Sequence, residues 1–212
     1  MKEMLGKHTS KLVLLLALAT LRCPAETQLS TATSPSDTFV DDSFQRGWHE
    51  ADVGVGALFS NLVRNANRPN IDYSLLYIQT AYTVTEPQGD AFYRGSFQLA
   101  PEISGAGIFH GAGSYVASAT LWLRYDFVPQ GWRVVPYIQG GFGASVLDIP
   151  EQYDGKSFNY NLEAAAGARY FIRPKCSLNL EYRFQHISNA DMWMHNVGVN
   201  TSGPAMGISF FF

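Results

Sequence analysis

Near the end of the chain, Leu178, Leu180, Tyr182, Phe184, His186 and Ser188 occupy every second position, with Asn179, Glu181, Arg183 and Gln185 between them. In a β-strand that period puts the apolar set together with His186 and Ser188 on one face and the charged set on the other. The last residues alternate in the same way: Met206, Ile208, Phe210 and Phe212 are separated by Gly207 and Ser209. Ala119, Leu121, Leu123, Tyr125 and Phe127 oppose Thr120, Trp122, Arg124 and Asp126. Tyr160, Leu162, Ala164, Ala166 and Tyr170 oppose Asn161, Glu163 and Arg169. Strand-like segments of this kind lie near 48–59, 71–83, 92–108, 114–127, 133–147, 158–172, 177–189 and 198–212.

Eight strands, an even number, suit an all-β, antiparallel transmembrane β-barrel of the outer-membrane type. A soluble sandwich with its polar face to water would show the same parity. Loop lengths favour the barrel. With both termini periplasmic, the connections 128–132 and 173–176 are short periplasmic turns, whereas 148–157 and 190–197 are longer extracellular loops. The apolar faces then look at lipid, and Glu163, Arg169, Glu181, Arg183, Asp126 and Arg124 point inward. An eight-stranded interior is just wide enough for side chains, so these six are expected to fill it as an ion network and leave no pore.

The N-terminus reads differently. Lys2, Lys7 and Lys11 flank an apolar stretch from Leu12 to Leu21 that ends at Cys23-Pro24-Ala25, the layout of a secretory signal peptide over 1–25. That stretch is too short to span a bilayer. Residues 26–46, rich in Ser, Thr, Asp and Pro, are expected to form a disordered periplasmic leader, and 47–212 the barrel. Cleavage after Ala25 removes four cations and one carboxylate, taking the net charge from −3 to −6, which gives no support to a nucleic-acid partner. It also leaves Cys176 alone, so no intrachain disulfide is available. Aromatic residues make up 14% of the chain and glycine is frequent, while no other segment approaches the apolar length of a transmembrane helix.

Candidate chemistry collects where strands seven and eight meet. Counting back from Phe212 by twos reaches Asn200, on the same face as His186 and Ser188. The twelve-residue run corresponds to about 40 Å of strand, or about 30 Å of height after tilt, which sets the three residues near the outer interface. A serine hydroxyl becomes a useful nucleophile when an imidazole accepts its proton and a third group fixes the imidazole tautomer. Ser188, His186 and Asn200 fit those roles. Asn189 and Asn196, in the following loop, can donate to an oxyanion. Trp193, with Met192 and Met194, forms an apolar loop patch suited to guiding an acyl chain, and Arg64 and Arg68 in the first loop are suited to lipid phosphates. Asp191 and His195 with His186 match no established metal spacing, so no metal and no cofactor are expected.

The segment Tyr182-Arg183-Phe184-Gln185-His186-Ile187-Ser188-Asn189-Ala190, with Asn196-Val197-Gly198-Val199-Asn200 and the Phe-rich end, resembles the lipid A 3-O-deacylase family of outer-membrane acyloxyacyl hydrolases. The family's eight-stranded barrel matches the mature chain in length, and the specific motif covers the last two strands. The resemblance implies removal of a 3-linked hydroxyacyl chain from lipid A at the outer leaflet of the outer membrane. Ser188 would then be the nucleophile, His186 the base, Asn189 and Asn196 the oxyanion contributors, and lipopolysaccharide the partner. A homodimer is left open, and the rival reading from another class is a catalytically silent structural or adhesive barrel in which the motif is an interface fragment. Where the family carries a glutamate beside the histidine, this chain has Asn200. The outer-membrane phospholipase A family is similar in using Ser, His and Asn at this two- and twelve-residue spacing, but its barrel is larger and no calcium-site feature is evident here.

Overall fold

The alternation along each segment becomes a closed barrel, because every strand finds an antiparallel partner on both sides. The computed structural model describes residues 39–60, 68–154 and 156–212; the expected signal peptide and the leader up to residue 38 lie outside the described residues. The strands are β1 (His49–Leu58), β2 (Asp72–Thr83), β3 (Gly95–His110), β4 (Tyr115–Phe127), β5 (Val134–Leu147), β6 (Phe158–Arg173), β7 (Cys176–Ser188) and β8 (Val199–Phe211). They pair in sequence order, and β1 closes the barrel on β8. Short helices α1 (Phe39–Asp42) and α2 (Glu151–Asp154) lie before β1 and between β5 and β6.

Which face of each strand looks outward follows the expected parity. Along β7, Leu178, Leu180 and Tyr182 are exposed while Asn179, Glu181, Arg183 and Gln185 are buried. The outside is apolar around the wall, with Ile78, Ile103, Leu123, Phe142, Leu162 and Met206 all more than half exposed. A continuous apolar belt of that kind has no counterpart on monomeric soluble proteins and calls for lipid around it. A sandwich would bury those residues.

The interior is layered. Its middle holds Arg124, Arg169 and Arg183 among the carboxyl groups of Glu50, Asp52, Glu102, Asp126, Glu163 and Glu181, all buried. Arg169 pairs with Glu50 at 3.0 Å and with Asp126, Arg124 reaches Glu50 at 3.2 Å, and Arg183 holds Glu102 at 2.7 Å. The six inward charges expected from sequence are all present; Glu50, Asp52 and Glu102 complete the set. Toward the end where β7 meets β8 through residues 189–198, the filling turns apolar, with Leu58, Tyr73, Leu75, Tyr77, Ile187 and Val199 packed together.

At the opposite end the expectation of a disordered segment through residue 46 is corrected. Val40 and Phe44 are buried against Val128, Val135, Phe171 and Phe211. Spaced four apart, they share one side of a helical turn and cover an aromatic ring of the barrel that would otherwise meet water. Phe44 meets Phe211 edge-on at 5.4 Å and Phe171 at 5.9 Å. Aromatic girdles mark both rims: Tyr82, Phe97, Tyr125, Phe127 and Phe212 at this end, and Phe109, Tyr115, Phe158 and Tyr160 at the other.

Candidate active site

Cross-strand register makes the site. His186 of β7 lies directly opposite Asn200 of β8, and both are half-buried on the outer face. His186 Nδ1 and Asn200 Oδ1 are 2.5 Å apart. Since an amide oxygen only accepts, Nδ1 carries the proton and donates it, which leaves the Nε2 lone pair free. Ser188, two residues further along the same face, is likewise half-buried. Among the described residues no hydrogen bond joins Ser188 Oγ to the ring; contacts of this kind commonly tighten only when substrate binds. On the other flank, Tyr160 and Leu162 of β6 stand opposite Ser188 and His186 and give the pair an apolar, outward-facing wall.

The first loop contributes Arg68, whose Nη1 lies 3.4 Å from His186 Nδ1. With the Nδ1 proton directed at Asn200, the guanidinium cannot donate there, so it sets a positive charge against the ring. Arg64 lies outside the described residues. Trp193 is partly exposed and receives Lys156 Nζ over its ring at 3.8 Å, and Met192 Sδ accepts from Tyr160 at 3.8 Å, so the apolar loop patch sits beside β6.

The 189–198 loop is fastened to α2. Asn189 is fully buried and spends both amide hydrogens on backbone carbonyls, those of Asp154 at 3.0 Å and His195 at 3.1 Å. Its own N–H donates to Asn196 Oδ1 at 3.1 Å, and Asn196 Nδ2 donates to Asp191 at 2.8 Å. Val197 N–H donates to Tyr153 O at 2.7 Å, and Gly198 N–H to Asp154 Oδ1 at 3.0 Å. Asn189 therefore shapes the loop, and of the two side-chain amides expected at an oxyanion only that of Asn196 keeps an unspent hydrogen. Ala190, Asp191, His195 and Gly198 all have φ between +52° and +71°. Left-handed conformations at three non-glycine residues in one loop cost free energy that the surrounding bonds must offset, a feature that clusters at functional sites.

Asp154 and Gly198 were not singled out from sequence as site residues. Asp154 is buried. Burial holds its carboxyl above the ordinary range, partly offset by the Gly198 N–H and by the neighbouring His186 and Arg68. Gly198 adjoins His186 and Ser188: a β-carbon there would stand 3.3 Å from His186 Cε1 and 3.6 Å from Ser188 Cβ.

The lipid A 3-O-deacylase (PagL) family model matches residues 53–209, from β1 to the last turn of β8. The chain belongs to this family. The crystal structure of the outer-membrane enzyme PagL is similar at 17% identity and a TM-score of 0.55, over 74% of this chain and 97% of that one. Neisserial surface protein A gives 17% and 0.53 over 78% and 96%, and the N-terminal β-barrel domain of Pseudomonas aeruginosa OprF gives 14% and 0.50 over 79% and 98%. At these identities the structures establish the fold, an eight-stranded outer-membrane barrel. No curated protein sequence matches the chain. Within this deacylase-family barrel, the matched span contains Ser188, His186, Asn189, Asn196 and Asn200.

Proposed function

We propose that the protein is an outer-membrane serine esterase that removes the 3-O-linked hydroxyacyl chain of lipid A at the outer leaflet. The observation that carries this reading is the His186–Asn200 hydrogen bond beside Ser188, on the outer wall of a barrel whose family is that of lipid A 3-O-deacylases. Ser188 attacks the ester carbonyl, and His186 Nε2 takes its proton and later returns it to the departing sugar hydroxyl. Asn200 holds the imidazole tautomer. The free amide hydrogen of Asn196 and loop N–H groups receive the oxyanion, and Asn189 keeps the loop in shape. Tyr160, Leu162 and Trp193 line the acyl path, and Arg68 faces the phosphates. Water hydrolyses the acyl-enzyme, with no cofactor. In cells producing the protein, mass spectrometry of lipid A is expected to show the loss of one hydroxyacyl group; an unchanged mass overturns the reading, and phospholipid cleavage in its place redirects it to a phospholipase.

The amide at position 200 orients the ring without supplying charge. Asn200→Ala is expected to lower the rate of fatty-acid release from lipopolysaccharide by about 10²–10⁴-fold, the scale seen when a triad histidine loses its orienting group. Asn200→Glu is expected to retain or raise the rate, because a carboxylate accepts the same Nδ1 proton and stabilises the imidazolium. A large loss in Asn200→Glu would contradict a purely orienting role.

A further inference from the structure

If this esterase reading holds, the reaction places a positive charge on His186 directly beside a second one. Arg68 Nη1 stands 3.4 Å from Nδ1, and the residue that bonds Nδ1 is a neutral amide. An imidazolium forming between a guanidinium and an amide, on a surface facing lipid, needs a compensating anion. We propose that Asp154 is that anion: a positioning residue whose buried carboxylate, one residue away from the imidazole across Gly198, balances Arg68 and His186 and replaces the charge that Asn200 does not carry.

Three observations point there. Asp154 Oδ1 accepts the Gly198 N–H at 3.0 Å, and a β-carbon on Gly198 would stand 3.3 Å from His186 Cε1, so the residue that binds the carboxylate also adjoins the base. Asp154 is 1% exposed and, among the described residues, its Oδ2 has no hydrogen-bond partner. A side chain needed only to receive the Gly198 N–H would serve as well as an asparagine and would avoid burying a charge. Of the other acids near this rim, Asp191 accepts from Asn196, Asp72 pairs with His110 and receives the Ser60 N–H, and Asp148 and Glu151 are exposed. His186 and Arg68 both act electrostatically on the Asp154 carboxyl.

The measurement is the rate at which a fluorophosphonate probe labels Ser188 in the purified, detergent-solubilised full barrel at alkaline pH, with folding followed by heat-modifiable gel mobility. The probe carries no phosphate of lipid A, so Arg68 affects it only through charge. Asp154→Asn is expected to slow labelling about tenfold or more in a folded barrel. Adding Arg68→Gln to that variant is expected to bring the rate back to within about threefold of wild type, because the unbalanced cation is gone. Unchanged labelling in Asp154→Asn overturns the inference and leaves the esterase reading intact. Slow labelling that Arg68→Gln does not recover also overturns it, since a lost loop brace is indifferent to charge. Absence of labelling in the wild type overturns the esterase reading, and this inference with it.

Discussion

Ser188→Ala is expected to reduce release of free hydroxy fatty acid from purified lipopolysaccharide by about 10⁴-fold or more, leaving only what an intact oxyanion site and binding provide. The barrel should survive. Ser188 lies at the end of β7 on the outward face, half-buried, and its strand pairs through backbone groups that the change does not touch. Alanine keeps the Cβ that meets Gly198, so the loop packing is preserved. The assay pairs chromatographic detection of released acid with the gel-mobility shift of the folded barrel. Release at the wild-type rate from a folded variant would remove Ser188 from the mechanism altogether.

The position of the proposed site on the outside of the barrel rests on two independent features. One is the alternation within β7 and β8, which puts His186, Ser188 and Asn200 on the lipid-facing side. The other is the register between the strands, which brings His186 opposite Asn200. The first can be read directly in the sequence, where counting back by twos from the aromatic end of β8 reaches Asn200; the second is visible only in the strand pairing. For a substrate whose acyl chains stay in the bilayer, a nucleophile on the outer wall needs no extraction step; an interior one would.

What the sequence did not disclose has physical reasons. In β2, Tyr73, Leu75 and Tyr77 face inward while Leu76 and Ile78 face lipid, so both faces are apolar and parity carries no sign. Glu50, Asp52 and Glu102 sit among glycine and alanine, where alternation is faint. The segment before β1 reads as polar, and two apolar residues four apart suffice to fold its end onto the barrel. Asp154 belongs to a loop and meets His186 only through Gly198, a contact between segments more than 40 residues apart that no local spacing announces. The assignment of Asn189 to the oxyanion rested on residue type and on the family resemblance; the structure shows its side-chain amide hydrogens already committed to carbonyls.

Arg183→Leu should destabilise the barrel by about 3–5 kcal/mol, the usual cost of removing one partner from a buried ionic cluster. Its guanidinium meets Glu102 through two bonds at 2.7 and 3.0 Å, donates through Nε to Glu181 at 2.9 Å, and lies 3.7 Å from Glu163. The aromatic rings of Tyr77 and Trp122 flank it at 4.8 and 5.0 Å, shutting out water that could replace it. Leucine would leave three carboxyl groups facing one another in a closed interior. Urea unfolding in detergent micelles, followed by tryptophan fluorescence, gives the difference directly. Neutralising one of the carboxyl groups in the same background, with Glu102→Gln, is expected to restore part of the loss, because the penalty lies in unpaired charge rather than in missing volume. The consequence also reaches the site. β7 presents Arg183 inward and His186 outward three residues later, so a strand loosened at its ionic anchor loses the register on which the His186–Asn200 bond depends. Wild-type stability in Arg183→Leu would mean that the interior network holds without its central cation.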